Sequence, residues 1–185
     1  MKLVVLAGPA GVGKGSLVKW ITSSDPEFML SVSATTRAAR PGEQDGIHYH
    51  FVTTESFEQG IASGDFLEWA QVHNHNYYGT LKSELDRATA LGKHLLLEID
   101  LQGARQVQES HPEVISIFIT PPSWEELEQR LRNRATETES EIQTRLTTAR
   151  RELEAANEFD FQLVNDDLEF CAQEIIKIVK EAAND

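Results

Sequence analysis

A glycine-rich segment, GPAGVGKGS, occupies residues 8–16 near the start of the sequence. The apolar run at residues 2–7 predicts a short buried strand before it, and residues 14–22 predict a helix after it. In the pattern G-x-x-x-x-G-K, glycines let several backbone N–H groups face one concavity at a helix N-terminus, and the lysine reaches the outer phosphates of a nucleotide. The segment therefore predicts an α/β domain that binds phosphate, with an ordinary glycine-rich turn as the alternative.

The predicted triphosphate site contains every residue of that segment. Its members are Gly8, Pro9, Ala10, Gly11, Val12, Gly13, Lys14, Gly15 and Ser16. Gly15 occupies the place where this motif usually carries a Ser or Thr ligand for Mg²⁺, and the hydroxyl comes one residue later, at Ser16. We therefore expect Mg²⁺ to be the cofactor, with Ser16 as the one candidate for a direct protein ligand.

Further apolar runs predict strands at residues 94–100, 114–120 and 161–165. A helical pattern follows each run, which is typical of a parallel sheet with helices on both faces. The predicted fold class is thus α/β, built on a parallel sheet core flanked by helices.

We expect the 185 residues to form a single domain. Short alternating segments between about residues 33 and 80 predict a small strand-rich insertion, and residues 1–32 and 81–185 form the core. The polar stretch ATETESE, residues 135–141, is flanked by arginines and predicts a loop within a lid at about residues 134–145.

Charge and composition exclude several classes of function. The formal net charge is −13, so neither nucleic acid nor an anionic membrane is an expected partner. The first apolar run ends at Ala7, short of the ~7–15 residues of a signal-peptide core, and no segment approaches the ~20 apolar residues of a membrane span. With a single cysteine, Cys171, these features predict a cytoplasmic protein. Monomer and homodimer both stay open.

Two arginines, Arg37 and Arg40, lie three residues apart in the turn-rich segment SATTRAARPGE. Guanidinium groups are always charged and bind oxyanions in a bidentate manner, so the pair can form a fork around one phosphate. A solvated surface turn is the alternative. Glu68 lies in the aromatic stretch FLEW, where an unpaired buried carboxylate is costly, and it is therefore a candidate ligand-binding residue.

Six segments, in order, resemble guanylate kinases over nearly the whole chain. They are GPAGVGKGS, SVSATTRAARPGE, DFLEWAQVHNHNYYGT, LEIDLQGA, PPSWEELEQRLRNRATETESEI and LVNDDL. This resemblance implies a strand-rich GMP-binding insertion, a lid, and Mg²⁺-dependent transfer of the γ-phosphoryl group of ATP to GMP.

The resemblance also implies roles for individual residues. On the acceptor side it implies a GMP phosphate site with Arg37, Arg40, Tyr49 and Tyr78, accompanied by Glu43, and a base site with Ser33, Glu68, Thr80 and Asp100. Guanine carries N1–H and N2–H₂ donors that Glu68 can accept, whereas adenine has an acceptor at N1; such sites discriminate by up to ~10⁴-fold.

On the donor side, the resemblance implies that Lys14, Arg134 and Arg145 are catalytic, with Arg130 as a weaker candidate. Asn165 and Asp166 match a segment near the adenine of ATP, and a simple helix cap is the alternative for both.

Two alternatives of function accompany this expectation. The first is a non-catalytic guanylate-kinase-like module that binds phosphopeptides, which Lys14 and the lid arginines disfavour. The second is a kinase for another monophosphate acceptor, which Glu68, Thr80 and Asp100 disfavour.

Overall fold

The computed structural model describes residues 1–72, 76–133 and 139–184. The strands in these ranges are β1 Leu3–Ala7, β2 Phe28–Leu30, β3 Ala34–Thr35, β4 His50–Phe51, β5 Phe66–Val72, β6 Asn76–Leu81, β7 His94–Glu98, β8 Ile115–Thr120 and β9 Phe161–Val164. The helices are α1 Lys14–Ser24, α2 Thr54–Ser63, α3 Lys82–Leu91, α4 Leu101–Ser110, α5 Trp124–Arg132, α6 Glu139–Glu154 and α7 Leu168–Asn184. No helix in these ranges is long and apolar enough to cross a membrane.

The main sheet has five strands in the order β2-β7-β1-β8-β9, and every neighbouring pair is parallel. Strand β1 lies at its centre and is buried throughout. Alternate side chains of β1 enter two different clusters: Val4 and Leu6 belong to one, and Val5 and Ala7 belong to the other. A core on both faces requires helices on both sides, which confirms the predicted α/β class.

The register of the main sheet brings two candidate segments to one edge. Leu6 of β1 lies beside Glu98 of β7, so the loop after β1 and the residues after β7 both leave the sheet at its carboxyl edge. Ligands of open α/β sheets bind at this edge.

A second sheet has four strands in the order β4-β3-β6-β5. Helix α2 packs against it through Phe57, whose ring stacks on Phe66 and Tyr77 at centroid distances of 4.3 and 5.1 Å. This sheet lies within the predicted insertion, residues 33–80, apart from the end of β6. The proposed boundaries of core, insertion and lid stay predictions.

The structure describes only part of the predicted lid, about residues 134–145. Residues 134–138, and Arg134 with them, lie outside the described residues. Residues 139–141 belong to the first turn of α6, so the prediction of a loop over 135–141 was wrong for these three. Glu139 and Glu141 stand in that first turn, where negative charge is favoured by the helix dipole.

Candidate active site

The glycine-rich loop after β1 forms a cavity of about 400 Å³. Its lining residues are Pro9, Ala10, Gly11, Gly13, Lys14, Gly15, Ser16 and Glu98. The Lys14 ammonium donates to the carbonyl oxygens of Gly8 and Pro9 at 2.5 and 3.2 Å. Helix α1 begins directly at Lys14, so the loop combines backbone N–H groups, a helix N-terminus and the Lys14 ammonium, an arrangement suited to binding phosphates.

The side chain of Asn165 stabilises this loop by a hydrogen bond to its backbone. Its buried amide donates to the Val12 carbonyl at 2.8 Å, and Arg130 donates to the same carbonyl at 3.3 Å. Gly13 has φ of 100°, and a Cβ there would lie 2.5 Å from the Asn165 amide nitrogen, so only glycine fits this contact. Asn165 thus supports the loop, and its amide is used for that purpose.

The helix-cap alternative for Asn165 and Asp166 was wrong. Helix α7 begins after Asp167, whose carboxylate accepts from the Phe170 N–H at 2.8 Å. Asp166 is exposed beside it. Asp167 gives the cap because it is the residue immediately before the first helical turn.

A second cavity, also of about 400 Å³, lies between the carboxyl edge of β7 and the second sheet. It is lined by Ser33, Arg40, Tyr49, Glu68, Ala70, Tyr78, Gly79, Glu98, Ile99 and Asp100. The structure therefore brings together six of the predicted acceptor residues from four separate parts of the chain. Arg37, Glu43 and Thr80 lie in adjacent structure without lining this cavity.

Glu68 is the buried acid of this cavity, with only 5% of its surface exposed. Burial raises the pKa of Glu68 from 4.5 to about 7; the nearby Asp100 carboxylate adds to this rise, while Thr80 opposes it. The Thr80 hydroxyl is fully buried and makes no hydrogen bond of good geometry within the described residues, although it is close enough to lower the pKa of Glu68. A buried carboxylate is stable only with hydrogen-bond donors around it, so Glu68, which lines the cavity, is suited to bind a ligand that carries such donors.

Arg37 is held by Glu43. Two guanidinium nitrogens of Arg37 donate to the two Glu43 carboxylate oxygens, each at 2.9 Å, and the guanidinium lies 5.4 Å from the centre of the Tyr49 ring. The ion pair lowers the pKa of Glu43 to about 2. Glu43 also accepts from the backbone N–H of Arg40 at 2.7 Å, so this carboxylate organises both arginines of the segment.

Glu98 lines both cavities, although the sequence analysis did not identify it as a site residue. A Cβ added to Gly15 would lie 3.5 Å from a Glu98 carboxylate oxygen. The two cavities therefore meet at the sheet edge, where a group bound in one can reach a group bound in the other. Arg145, the described arginine of the predicted lid, lies half-buried in α6.

Comparisons with known proteins agree with this geometry. A family model described as guanylate kinase matches residues 1–182. The chain belongs to the guanylate kinase family. It is 52% identical over 177 residues to a guanylate kinase from Leifsonia xyli, covering 96% of this chain and 70% of that one. It is 54% identical over 173 residues to a guanylate kinase from Synechococcus sp. strain CC9311, covering 94% and 90%.

A solved structure extends the likeness to three dimensions. The crystal structure of guanylate kinase from Anaplasma phagocytophilum matches with a TM-score of 0.75 and 36% identity, covering 97% of this chain and 85% of that chain. Sequence and fold therefore both place the chain in the guanylate kinase family.

Proposed function

We propose that this protein transfers the γ-phosphoryl group of ATP to GMP, giving ADP and GDP. The observation that carries the proposal is the meeting of two cavities at Glu98, one built around Lys14 and the other around the buried Glu68. Family membership agrees with it.

The donor side neutralises charge. The loop N–H groups bind the ATP phosphates, and Lys14 exchanges its two carbonyl partners for phosphate oxygens. Arg145 of α6 and Arg134 supply further positive charge when the lid segment covers the nucleotide. Such preorganised cations stabilise the charge on the transferring group.

The acceptor side positions GMP. Ionised Glu68 accepts hydrogen bonds from the guanine N1–H and N2–H₂ groups, and Ser33, Thr80 and Asp100 surround the base. Arg40, Tyr49 and Tyr78 hold the phosphate together with Arg37, which Glu43 keeps in place. Because the acceptor phosphate is already ionised near neutral pH, no side-chain base is needed and catalysis depends on alignment.

The residues of the loop cavity suit a Mg²⁺ ion that arrives with the nucleotide. The described residues contain no group of three or more His, Cys, Asp or Glu that could hold a metal ion, which is consistent with an ion held mainly by phosphates and water. Ser16 and Glu98 line the cavity and are the side chains that would hold it, directly or through water. Bound there, Mg²⁺ would offset charge on the β and γ phosphates.

The proposal is tested by measuring ADP release from Mg·ATP with a panel of nucleoside monophosphates: GMP, AMP, UMP, CMP and IMP. We expect turnover with GMP to stand well above turnover with the others. A protein that binds GMP without turnover, or that prefers another acceptor, would contradict the proposal.

Replacement of Lys14 by Ala should lower turnover by about 10²- to 10³-fold, since a preorganised charge at the transferring group is lost. GMP binding, measured by calorimetry, should be retained because Lys14 lines only the loop cavity. The matched control is Lys19→Ala, at an exposed position of the same helix, and it should leave turnover unchanged. Equal turnover in the two variants would refute the role of Lys14.

A further inference from the structure

Helix α4 packs against the outer strand of the second sheet and binds its backbone through the side chain of Gln106. Strand β5 is the outer strand of that sheet, and the amide of Gln106 binds both backbone groups of Trp69 in β5. Gln106 Nε2 donates to the Trp69 carbonyl at 2.8 Å, and the Trp69 N–H donates to Gln106 Oε1 at 3.1 Å. The amide therefore pairs with the strand as a neighbouring peptide group would.

This contact lies one residue from the buried acid of the acceptor cavity. The register of β5 against β6 shifts between Phe66 and Glu68, and such bulges turn a side chain to a new direction. The turned side chain reaches α4 directly, because a Cβ added to Gly103 would lie only 2.5 Å from Glu68 Oε2.

The same helix carries the second acid. Asp100 caps α4 by accepting from the Gly103 N–H at 2.8 Å. Glu68 and Asp100 therefore meet at one turn of α4, and their relative placement depends on how β5 is held against that helix. In the part of the chain that the structure describes, Gln106 provides the side-chain hydrogen bonds that hold β5 against α4.

We propose that Gln106 is a positioning residue for recognition of the acceptor base. By fixing Trp69 on α4, it sets where the Glu68 carboxylate meets the guanine edge relative to Asp100. This inference rests on the proposed GMP kinase activity and adds a determinant of base specificity to it.

The chain offers a matched control on the same helix. Gln108 is also half-buried, and its amide donates to Ser116 Oγ at 3.1 Å and to the Glu158 carbonyl at 2.9 Å. Both contacts join α4 to parts of the chain outside the second sheet, and neither involves β5. A loss of stability alone should therefore appear in both glutamine variants, whereas altered base recognition should appear only at Gln106.

The experiment compares Gln106→Met, which keeps the length of the side chain without its hydrogen bonds, with Gln106→Ala and Gln108→Ala. We expect both Gln106 variants to raise the KM for GMP by about tenfold, with the KM for ATP unchanged, because two hydrogen bonds that place the base-binding strand are lost. The preference for GMP over IMP in kcat/KM should fall as well. IMP keeps N1–H but lacks the 2-amino group, so this ratio reports the contact with Glu68.

A folded Gln106→Met protein with wild-type KM for GMP and wild-type preference over IMP would overturn the inference. Equal changes in Gln108→Ala would overturn it too, since they would show a general effect of losing stability. Wild-type protein inert toward GMP would instead overturn the proposed function itself. Circular dichroism and urea unfolding establish that each variant is folded.

Discussion

At the scale of single residues, Glu68 has the most consequential chemistry. Its pKa is 4.5 in an unfolded chain and about 7 in the folded protein. Between these two pH values the folded state binds more protons than the unfolded state, so the free energy of unfolding falls as pH rises through this window. In the proposed function, guanine donates to the ionised carboxylate, so we expect GMP binding below pH 7 to expel a proton from Glu68.

At pH 6, wild-type protein should release close to one more proton on binding GMP than Glu68→Gln does. The measurement is calorimetry in two buffers with different ionisation enthalpies. The GMP phosphate, whose second pKa is about 6, also exchanges protons, but it does so in both proteins and cancels in the comparison. Equal proton release by the two proteins would contradict the role of Glu68 in binding the base.

The candidate residues that sequence predicted are those that lie within compact motifs. Lys14 and Glu68 are examples, since short sequence patterns carry them. The supporting roles of Asn165 and Gln106 were not predicted, because each side chain binds a residue that is distant in the sequence. The Asn165 amide binds Val12, 153 positions away, and Gln106 binds Trp69, 37 positions away. No local periodicity marks such pairs.

At the scale of secondary structure elements, Glu84 joins α3 to the segment that enters the second sheet. Its buried carboxylate accepts from the Val32 N–H at 2.7 Å and pairs with Arg87 at 2.6 Å. Arg87 in turn donates to the Leu30 carbonyl at 3.4 Å. The predicted insertion begins at the next residue, Ser33. The hydrogen bond between Val32 and Glu84 therefore fixes the place where the chain leaves the core for the insertion.

Replacement of Glu84 by Ala should lower the free energy of unfolding by about 2 kcal/mol, because the Val32 N–H loses its partner in a largely buried site. Arg87→Ala should lower the free energy of unfolding by less, since the Arg87 side chain is 43% exposed and its ion pair with Glu84 is solvated. Urea unfolding of both variants gives the comparison. A larger loss in Arg87→Ala than in Glu84→Ala would contradict this account.

The elements that sequence predicted well are long and periodic, such as α4 at Leu101–Ser110 and β8 at Ile115–Thr120. The elements that the sequence did not predict are either very short or contain residues unfavourable to their own secondary structure. Strands β2 and β3 have three and two residues, too few to show alternation. Helix α2 contains a glycine in its interior, which lowers its intrinsic helix propensity.

At the scale of the whole molecule, the two sheets create two cavities that open onto each other at Glu98. The donor cavity lies at the edge of the main sheet, while seven of the ten residues that line the acceptor cavity belong to the predicted insertion, which contains the second sheet. A ligand that fills both must therefore connect the two sheets, and it should bind more tightly than a ligand that fills either one.

Adenosine and guanosine joined through five phosphates should bind at least 10²-fold more tightly than GMP, because attachment at one cavity raises the effective concentration at the other. Calorimetry and the rise in Tm give the measurement. The control compound carries adenosine at both ends; it lacks the guanine edge for Glu68 and should bind more weakly. An affinity no better than that of GMP would show that the cavities are not filled together.

The support of the phosphate-binding loop by Asn165 has a consequence for biosynthesis. The residues that line both cavities lie within the first hundred of the chain, yet the amide that holds the Val12 carbonyl is made 153 positions later. When all the residues that line the cavities have emerged from the ribosome, Asn165, which holds the loop in place, has not yet emerged. Nascent chains should consequently acquire firm nucleotide binding only when their last strand joins the sheet.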